Sequence, residues 1–209
     1  ARMRPRDLSE FVGQQHLVGE GKILSKLIES DRVPSMIFWG PPGVGKTTLA
    51  QIIASKTKAN FITFSAVTSG IKEIRTVMQQ ADRYTRFGEK TIVFIDEIHR
   101  FNKAQQDAFL PFVEKGSITL IGATTENPYI SINPAIRSRT QIFELKPLSS
   151  QDIQKALLKA IEDEERGLGK LDLEVTEEAL NHFASSTNGD VRSALNALEL
   201  AAKSTEASE

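Results

Sequence analysis

The 209-residue chain is close to neutral, with 26 basic and 27 acidic residues and a formal net charge of −1. This balance excludes a global electrostatic attraction to nucleic acid, so any contact with DNA must come from a local basic patch. The chain has no cysteine, which excludes disulfides, iron–sulfur clusters and cysteine zinc sites. No apolar stretch approaches the length of a membrane span, so we expect a soluble protein of the cytoplasm without membrane contact.

The first predicted helix lies at residues 21–31, where four apolar residues recur at helical spacing. Pro34 follows this segment and precedes an apolar run. The proline therefore marks the entry to the first predicted strand.

Residues 35–48 hold the most specific pattern of the sequence. A strand predicted from Met36 to Trp39 leads into a glycine-rich turn that starts at Gly40 and fits G-x-x-x-x-G-K-[ST]. In such a turn, backbone N–H groups and the positive end of the following helix bind phosphate, and the lysine reaches the outer phosphates. Thr47 is placed to bind Mg²⁺. The predicted nucleotide contacts are Pro42, Gly43, Val44, Gly45, Lys46, Thr47 and Thr48.

With a nucleotide site predicted, the N-terminal segment of residues 1–21 has two interpretations. Its basic side chains are typical of a solvated arm. Alternatively, the segment lies over the nucleotide base, and backbone groups of Val12 and Gly13 face an adenine.

A helix with several basic side chains is predicted from about Ile71 to Tyr84. A solvated face explains these charges well. The alternative is that the turn at Ser69 and Gly70 and the N-terminus of this helix hold a DNA phosphate, with Lys72 and Arg75 beside it.

Two acidic residues follow directly on an apolar run. Residues 91–95 are typical of a strand buried on both faces of a parallel sheet, and Asp96 and Glu97 come next. Ligands bind at the carboxyl ends of strands in open α/β sheets, so we expect both carboxylates beside the phosphate turn. We predict that Asp96 holds Mg²⁺ through water and that Glu97 polarises an attacking water molecule. This acid pair favours a hydrolase over a small-molecule kinase, because water rather than a substrate hydroxyl has to be activated.

A further strand is predicted from Ser117 to Gly122 and is followed by two threonines. A polar side chain at that strand end would lie beside the γ-phosphate and the attacking water. We assign this role to Thr125 rather than to Thr124. Further along the chain, two arginines stand just before the last predicted strand.

The alternation of strands and helices stops near residue 146, and only helices are predicted beyond it. We therefore predict an α/β nucleotide-binding domain at residues 1–146 and a small helical domain at residues 147–209. Ser149 with Asp152 resembles a capping box at the first of these helices. In the last helix Arg192 stands in the first turn, where a cation opposes the macrodipole. We interpret it as a phosphate ligand, the alternative being an ion pair with a surface glutamate.

Together these motifs resemble the AAA+ ATPases of the clamp-loader and RuvB branch. The matching stretches are Gly40-Pro-Pro-Gly-Val-Gly-Lys-Thr47, Phe94-Ile-Asp-Glu97, Thr124-Thr125, Ser138-Arg139 and Gly189-Asp-Val-Arg192. A still closer likeness, to the replication-associated recombination protein A family, related to the Werner-helicase-interacting ATPase, is seen at residues 64–70, 96–111 and 121–128.

The resemblance implies a P-loop AAA+ fold, with a five-stranded parallel sheet flanked by helices and followed by a small all-α lid. It also implies a homo-oligomeric, DNA-dependent ATPase that acts in DNA replication, recombination and repair at stalled forks or single-stranded gaps, together with replication or repair proteins. Members of the family are longer and carry a C-terminal oligomerisation region, so we expect this chain to be a fragment.

The resemblance also implies roles for the matched residues, with ATP and Mg²⁺ as cofactors. Lys46 and Thr47 correspond to Walker A, Asp96 and Glu97 to Walker B, Thr125 to sensor 1, Arg139 to the arginine finger that acts on a neighbouring subunit, and Arg192 to sensor 2. Arg137 is the rival for the finger. Ser65 falls where relatives have a residue that can restrain the Walker B glutamate.

Two other functions compete with a DNA-dependent ATPase. A clamp-loader-like scaffold would use bound ATP to hold an assembly together with little hydrolysis, but it does not need the water-polarising Glu97. A phosphotransferase is disfavoured by the acid pair and by the lack of an acceptor motif.

Overall fold

The computed structural model describes residues 3–163, 166–171, 175–185 and 190–205, and the chain divides into two units. The larger unit comprises residues 15–41 and 45–145, and the smaller one comprises residues 1–14, 42–44 and 146–209. Each unit has an apolar core of its own.

The described part of the larger unit is built on a parallel sheet of five strands in the order β2-β3-β4-β1-β5. The strands are β1 (Met36–Trp39), β2 (Asn60–Ser65), β3 (Thr91–Asp96), β4 (Thr119–Thr124) and β5 (Gln141–Glu144). The predicted five-stranded parallel sheet is confirmed. Because β4 lies between β1 and β3, the ends of the three strands that carry the predicted site are neighbours.

Helices flank this sheet. They are α1 (Gln15–Val18), α2 (Ile23–Glu29), α3 (Lys46–Lys56), α4 (Ile71–Arg86), α5 (Lys103–Lys115), α6 (Pro128–Ser131) and α7 (Pro134–Arg137), and a 3₁₀ turn lies at Ile98–Arg100. None of the described helices in either unit is long and apolar enough to cross a bilayer.

The fourth strand starts and ends two residues later than the sequence predicts. The N–H groups of Ser117 and Ile118 donate to a carbonyl near the end of α5 (3.0 and 3.4 Å), so these residues continue the turn after that helix. The strand then runs on to Thr124, which lies opposite Trp39 of β1. Thr124 is therefore part of the sheet, and Thr125 is the first residue beyond it.

The core of the larger unit combines buried residues of the sheet with residues of the helices that flank it. Residues 91–95 of β3 are all buried, as the apolar run predicts for a strand covered on both faces. Three phenylalanines from different elements meet in edge-to-face pairs: Phe109 has its ring centre 5.6 Å from Phe64 and 5.7 Å from Phe101. Such pairs contribute about 1 kcal/mol each beyond the area they bury. They help to make the sheet a rigid support for the residues at its edge.

The smaller unit contains α8 (Ser150–Glu162), α9 (Glu177–Ser185) and α10 (Val191–Ser204), with a 3₁₀ turn at Gly169–Leu171. One apolar face of each helix points into a shared core, whose members include Ile153, Leu157, Leu180, Ala194 and Leu198. The helical character predicted for this part of the chain agrees with these elements. That the unit acts as a lid stays a prediction.

Capping fixes the start of α8 as the sequence predicts. The Asp152 N–H donates to Ser149 Oγ (3.1 Å), and the Ser149 N–H donates to Asp152 Oδ2 (3.3 Å). Two of the otherwise unpaired N–H groups at this helix start are therefore satisfied reciprocally.

Candidate nucleotide site

The predicted phosphate turn leaves the sheet at the end of β1. The N–H of Gly40 donates to the carbonyl of Thr124 (3.0 Å), which ties the first residue of the turn to the end of β4. At the other end of the turn α3 begins, and its first N–H groups and dipole favour an anion. The residues at this helix start are half-buried: Gly45, Lys46, Thr47 and Thr48. The strand–turn–helix context that the motif requires is thus present.

The Lys46 ammonium lies inside the turn. Its Nζ donates to the carbonyls of Gly40 (2.5 Å) and Pro41 (2.8 Å). Burial lowers the pKa of Lys46, and the Asp96 carboxylate opposes this by raising it. Two predicted site residues from different strand ends therefore interact electrostatically.

Asp96 and Glu97 stand where β3 ends. Asp96 is exposed, and Glu97 has a left-handed backbone (φ 53°) that turns the chain sharply out of the sheet. The Glu97 N–H donates to Asp96 Oδ1 (3.0 Å), and Glu97 Oε2 lies 3.6 Å from Arg100 Nη1. This ion pair is solvent-exposed and therefore weak. Ser65 lies opposite Asp96 in β2, and in the described part of the chain it makes no hydrogen bond to Glu97.

The two threonines after β4 differ in what their hydroxyls can reach. Thr124 is only 1% exposed, its Oγ1 lies 2.8 Å from His99 Nδ1, and it accepts the N–H of Glu126 (3.0 Å). Thr125 is exposed. Its position leaves its hydroxyl more accessible to a ligand than that of Thr124, in keeping with the choice made from the sequence.

The donor set suits Mg²⁺ that arrives with a nucleotide. No group of three or more histidine, aspartate or glutamate side chains that could hold a metal ion occurs among the described residues. The predicted ligands, the Thr47 hydroxyl and the Asp96 carboxylate, are oxygen donors. Mg²⁺ is commonly bound by one or two protein oxygens together with phosphates and water, so these two residues fit the ion.

The two candidate finger arginines have different surroundings. Arg137 Nη1 donates to the carbonyl of Tyr129 (2.5 Å), while its Nε is buried without a partner among the described residues. Arg139 is more accessible: its Nη2 lies 2.7 Å from Glu114 Oε1, and its Nη1 donates to the carbonyl of Ala135 (2.8 Å). Arg137 is thus turned towards the backbone of α6, whereas Arg139 lies on the surface beside an exposed acid.

The predicted DNA-contacting patch lies at the start of α4. Gly70 is the N-cap and offers no side chain to cap the helix, and Lys72 and Arg75 are exposed in the first turns. Ser69 is buried, and its carbonyl accepts a hydrogen bond from Gln105 Nε2 (3.0 Å) at the start of α5. The starts of two helices are therefore linked side by side, with basic side chains exposed next to them.

In the smaller unit, the segment predicted to face the base is held by Gln14. Its Nε2 donates to the carbonyl of Lys146 (2.7 Å), and the Lys146 N–H donates to its Oε1 (2.8 Å). Val12 is half-buried and Gly13 is buried. A single amide side chain thus fixes the backbone next to the predicted adenine contacts.

Also in the smaller unit, Gly43 lies against the Asp190 carboxylate. Gly43 has φ 76°, and a Cβ at this position would overlap the carboxylate of Asp190, so another residue would be both strained and obstructed. Asp190 also caps α10 by accepting the N–H of Arg192 (2.9 Å). The Arg192 side chain is exposed and forms no ion pair within the described residues. Its role towards phosphate stays a prediction, and Gly189, which opens the matched motif, lies outside those residues.

Sequence reasoning missed residues that act through their contacts. His99, Glu114 and Gln14 each contact a predicted site residue or its neighbour. Only His99 carried a local signal, since it stands two residues after the acid pair. The partners of the others are distant in sequence and could not be read from spacing.

Comparison with known proteins gives the chain a family and relatives. The model of the "ATPase family associated with various cellular activities (AAA)" matches residues 36–148. The chain is 52% identical over 202 residues to Replication-associated recombination protein A of Escherichia coli, covering 97% of this chain and 45% of that protein. It is 45% identical over 201 residues to ATPase WRNIP1 of Dictyostelium discoideum, and the match covers 96% of this chain and 23% of that protein.

Among solved structures, the RuvB Holliday junction branch migration motor of Thermotoga maritima superposes with a TM-score of 0.79 at 28% identity. The superposition covers 95% of this chain and 65% of the RuvB chain. The chain spans about half the length of the bacterial relatives it matches. Since the family model covers more than half of the chain, including the phosphate turn and both strand ends described above, the chain belongs to the AAA family of ATPases.

Proposed function

We propose that the chain binds ATP with Mg²⁺ and hydrolyses it, as part of a protein that acts on DNA in replication, recombination and repair. The observation that carries the proposal is the meeting of three strand ends. The Asp96 carboxylate at the end of β3 raises the pKa of Lys46, against the lowering effect of burial, so the two charges lie near each other. The end of β4 is hydrogen-bonded to Gly40, which follows β1. Ligands bind at such an edge of a parallel α/β sheet.

In this proposal each group at the edge has one task. The phosphate turn and Lys46 bind the triphosphate, and Thr47 and Asp96 hold Mg²⁺, which neutralises charge on the phosphates. Glu97 polarises the attacking water, and Thr125 orients it. Arg139 completes the site of a neighbouring subunit, and Arg192 contacts the phosphates of its own.

Two observations support action on DNA. Several relatives that match nearly all of this chain carry names from replication and recombination. The exposed Lys72 and Arg75 at the start of α4 offer a local basic patch on a chain whose net charge gives no global attraction. We propose that this patch contacts phosphates of single-stranded or forked DNA without reading bases, and that the whole protein is a homo-oligomer.

The decisive variant is Glu97→Gln in the whole protein, which removes the base and leaves the magnesium ligand Asp96 in place. We expect ATP turnover to fall about 100-fold or more, as for loss of a general base, while the binding of a fluorescent ATP analogue is retained. Glu29→Gln, the same chemical change on the exposed end of α2, is the matched control and should leave both quantities unchanged.

Turnover is measured with and without single-stranded and forked DNA. A Glu97→Gln protein that hydrolyses ATP at the parent rate would show that the role of Glu97 is wrong. A parent protein that binds ATP and assembles, yet shows almost no turnover with or without DNA, would instead support the scaffold alternative.

A further inference from the structure

The 3₁₀ turn that follows Glu97 is joined to the end of β4 by a buried histidine. His99 Nδ1 lies 2.8 Å from the hydroxyl of Thr124, the last residue of β4. The His99 side chain is 8% exposed, and Thr124 is 1% exposed. A hydrogen bond so well shielded from water is costly to leave unmade, because His99 Nδ1 would remain buried without a partner.

An apolar contact next to this bond brings the same two segments together. Ile98, the neighbour of His99, packs on β4 at Gly122, where a Cβ would come within 2.8 Å of Ile98 Cδ1. A Cβ at residue 122 would force the Ile98 side chain to shift from its place on the strand. The turn after Glu97 and the end of β4 are therefore in direct contact, through one apolar and one polar link.

The polar link continues towards Thr125. The Thr124 hydroxyl accepts the N–H of Glu126 (3.0 Å), so the backbone on both sides of Thr125 is anchored to one oxygen atom. His99 Nε2 faces Glu126 Oε1 at 3.8 Å. The bond between His99 Nδ1 and Thr124 can run in either direction, because the Thr124 hydroxyl can donate to Nδ1 or to the carbonyl of Glu126 (3.3 Å).

We propose that His99 is a positioning residue that fixes the distance between Glu97 and Thr125, and so the place of the attacking water between them. The inference rests on the proposed function, which gives these two residues their roles. Glu97 stands two residues before His99, and Thr125 follows Thr124, to which His99 is hydrogen-bonded. The position of the His99 ring therefore affects the positions of both residues. A shift of about 1 Å in such a constellation can cost about 100-fold in rate.

The test measures kcat, KM and ATP affinity in the whole protein. His99→Ala should lower kcat roughly 10- to 100-fold, as expected for misplaced reacting groups. Its affinity for a fluorescent ATP analogue should stay within about twofold of the parent affinity. Thr124→Val should have a similar effect. The double variant should lose little more than either single one, because the two side chains act through one bond.

Two conservative variants separate positioning from general packing. His99→Asn keeps a polar atom near the place of Nδ1 and should recover most of kcat, whereas His99→Gln keeps one near Nε2 and should recover less. Thr57→Val is the matched control. Thr57 is also buried and its hydroxyl also makes a hydrogen bond, to Ile53 (2.8 Å), but it lies at the far end of α3. It should lower the thermal midpoint of unfolding without lowering kcat.

The inference is overturned if His99→Ala keeps the parent kcat, if the Asn and Gln variants lose kcat equally, or if Thr57→Val lowers kcat as much as Thr124→Val. Should His99→Ala not fold, His99→Asn against His99→Gln and Thr124→Val decide the matter. Failure of the proposed function looks different, because then Glu97→Gln itself retains turnover. A protein in which Glu97→Gln is inactive and His99→Ala fully active refutes only the role of His99.

Discussion

Lys46 is a residue whose charge is unfavourable to the folded chain and required for its proposed ligand. Burial lowers its pKa, and the nearby Asp96 offsets only part of that effect. Two carbonyl groups of the turn accept hydrogen bonds from its ammonium, which compensates some of the lost hydration. Functional sites commonly contain such locally unfavourable groups.

The lowered pKa of Lys46 predicts how ATP binding depends on pH. The usual pKa of 10.5 is lowered in the folded state, so as the pH rises the folded chain loses this proton before the unfolded chain does. The loss relieves the burial of a charge, so this group makes folding more favourable with rising pH in the window between the lowered pKa and 10.5. ATP affinity should fall in the same window, because the triphosphate needs the ammonium.

The measurement is a titration with a fluorescent ATP analogue at increasing alkaline pH. Lys46→Arg is the control, since a guanidinium stays charged throughout this range. The parent should lose affinity with a steeper slope than the Arg variant. Equal slopes would mean that other groups cause the pH dependence and that Lys46 does not contribute to it.

At the scale of the element, the strands and helices followed from local periodicity, but several bounds did not: α2 is shorter than residues 21–31, α4 runs to Arg86 rather than to about Tyr84, and β4 is displaced. The phosphate turn, the buried β3 and the capping box at Ser149 are encoded in neighbouring residues, and each was found where the pattern indicated. The bounds of β4 were wrong by two residues at both ends. They depend on pairing with β1 and on the turn after α5, and neither leaves a trace in the local sequence.

The contrast between local pattern and distant contact also explains which residues of the candidate site could be predicted from the sequence. The roles proposed for Asp96 and Thr125 rest on chemical type and on a place after a strand, and both features can be read from order along the chain. Residues that act by touching another, such as His99 and Glu114, could not be predicted in this way, because their partners lie 25 residues further along, in Thr124 and Arg139. Contact between distant segments is a property of the fold, not of the local pattern.

Helix α4 carries a prediction about DNA that compares its two ends. Replacing Lys72 and Arg75 by alanine should weaken binding of the whole protein to single-stranded DNA about equally across sequences. The slope of log affinity against log salt should flatten by roughly 1.4, which is two contacts at about 0.7 each. Phosphate contacts carry no sequence information, so all substrates should be affected alike.

The matched control is the alanine replacement of Arg83 and Arg86, at the other end of the same helix. It removes the same charge about 15 to 20 Å away at 1.5 Å per residue. An equal change of slope in both double variants would show that total charge is responsible. No change in the Lys72 and Arg75 variant would assign those side chains to a solvated face.

At the scale of the whole molecule, Arg139 binds other residues of its own chain when a single copy of the chain is considered. The guanidinium is paired with Glu114 and with the carbonyl of Ala135, on the surface of the larger unit. An exposed ion pair of this kind contributes about 1 kcal/mol or less, so a phosphate offered by a neighbouring subunit can displace Glu114. Arg137, which is turned to the carbonyl of Tyr129 and partly buried, is less suited to leave its contacts.

We therefore expect hydrolysis to be completed between subunits by Arg139. An arginine finger accelerates hydrolysis by roughly 10³- to 10⁵-fold, so Arg139→Ala in the whole protein should keep ATP affinity and lose most turnover. Arg137→Ala should lower the thermal midpoint and keep most turnover, because its contacts are internal. The reverse pattern would make Arg137 the finger.

Mixing inactive proteins tests whether the finger acts on a neighbour. Arg139→Ala retains an intact phosphate turn, and Lys46→Ala retains an intact finger, so a mixed assembly contains interfaces at which both are present. Turnover should reappear on mixing and peak near equal amounts of the two proteins, whereas either protein alone stays inactive. If mixing restores nothing although mixed assemblies are shown to form, or if a protein shown to be monomeric hydrolyses ATP as fast as the assembly, then each site is complete within one subunit and Arg139 does not act across an interface.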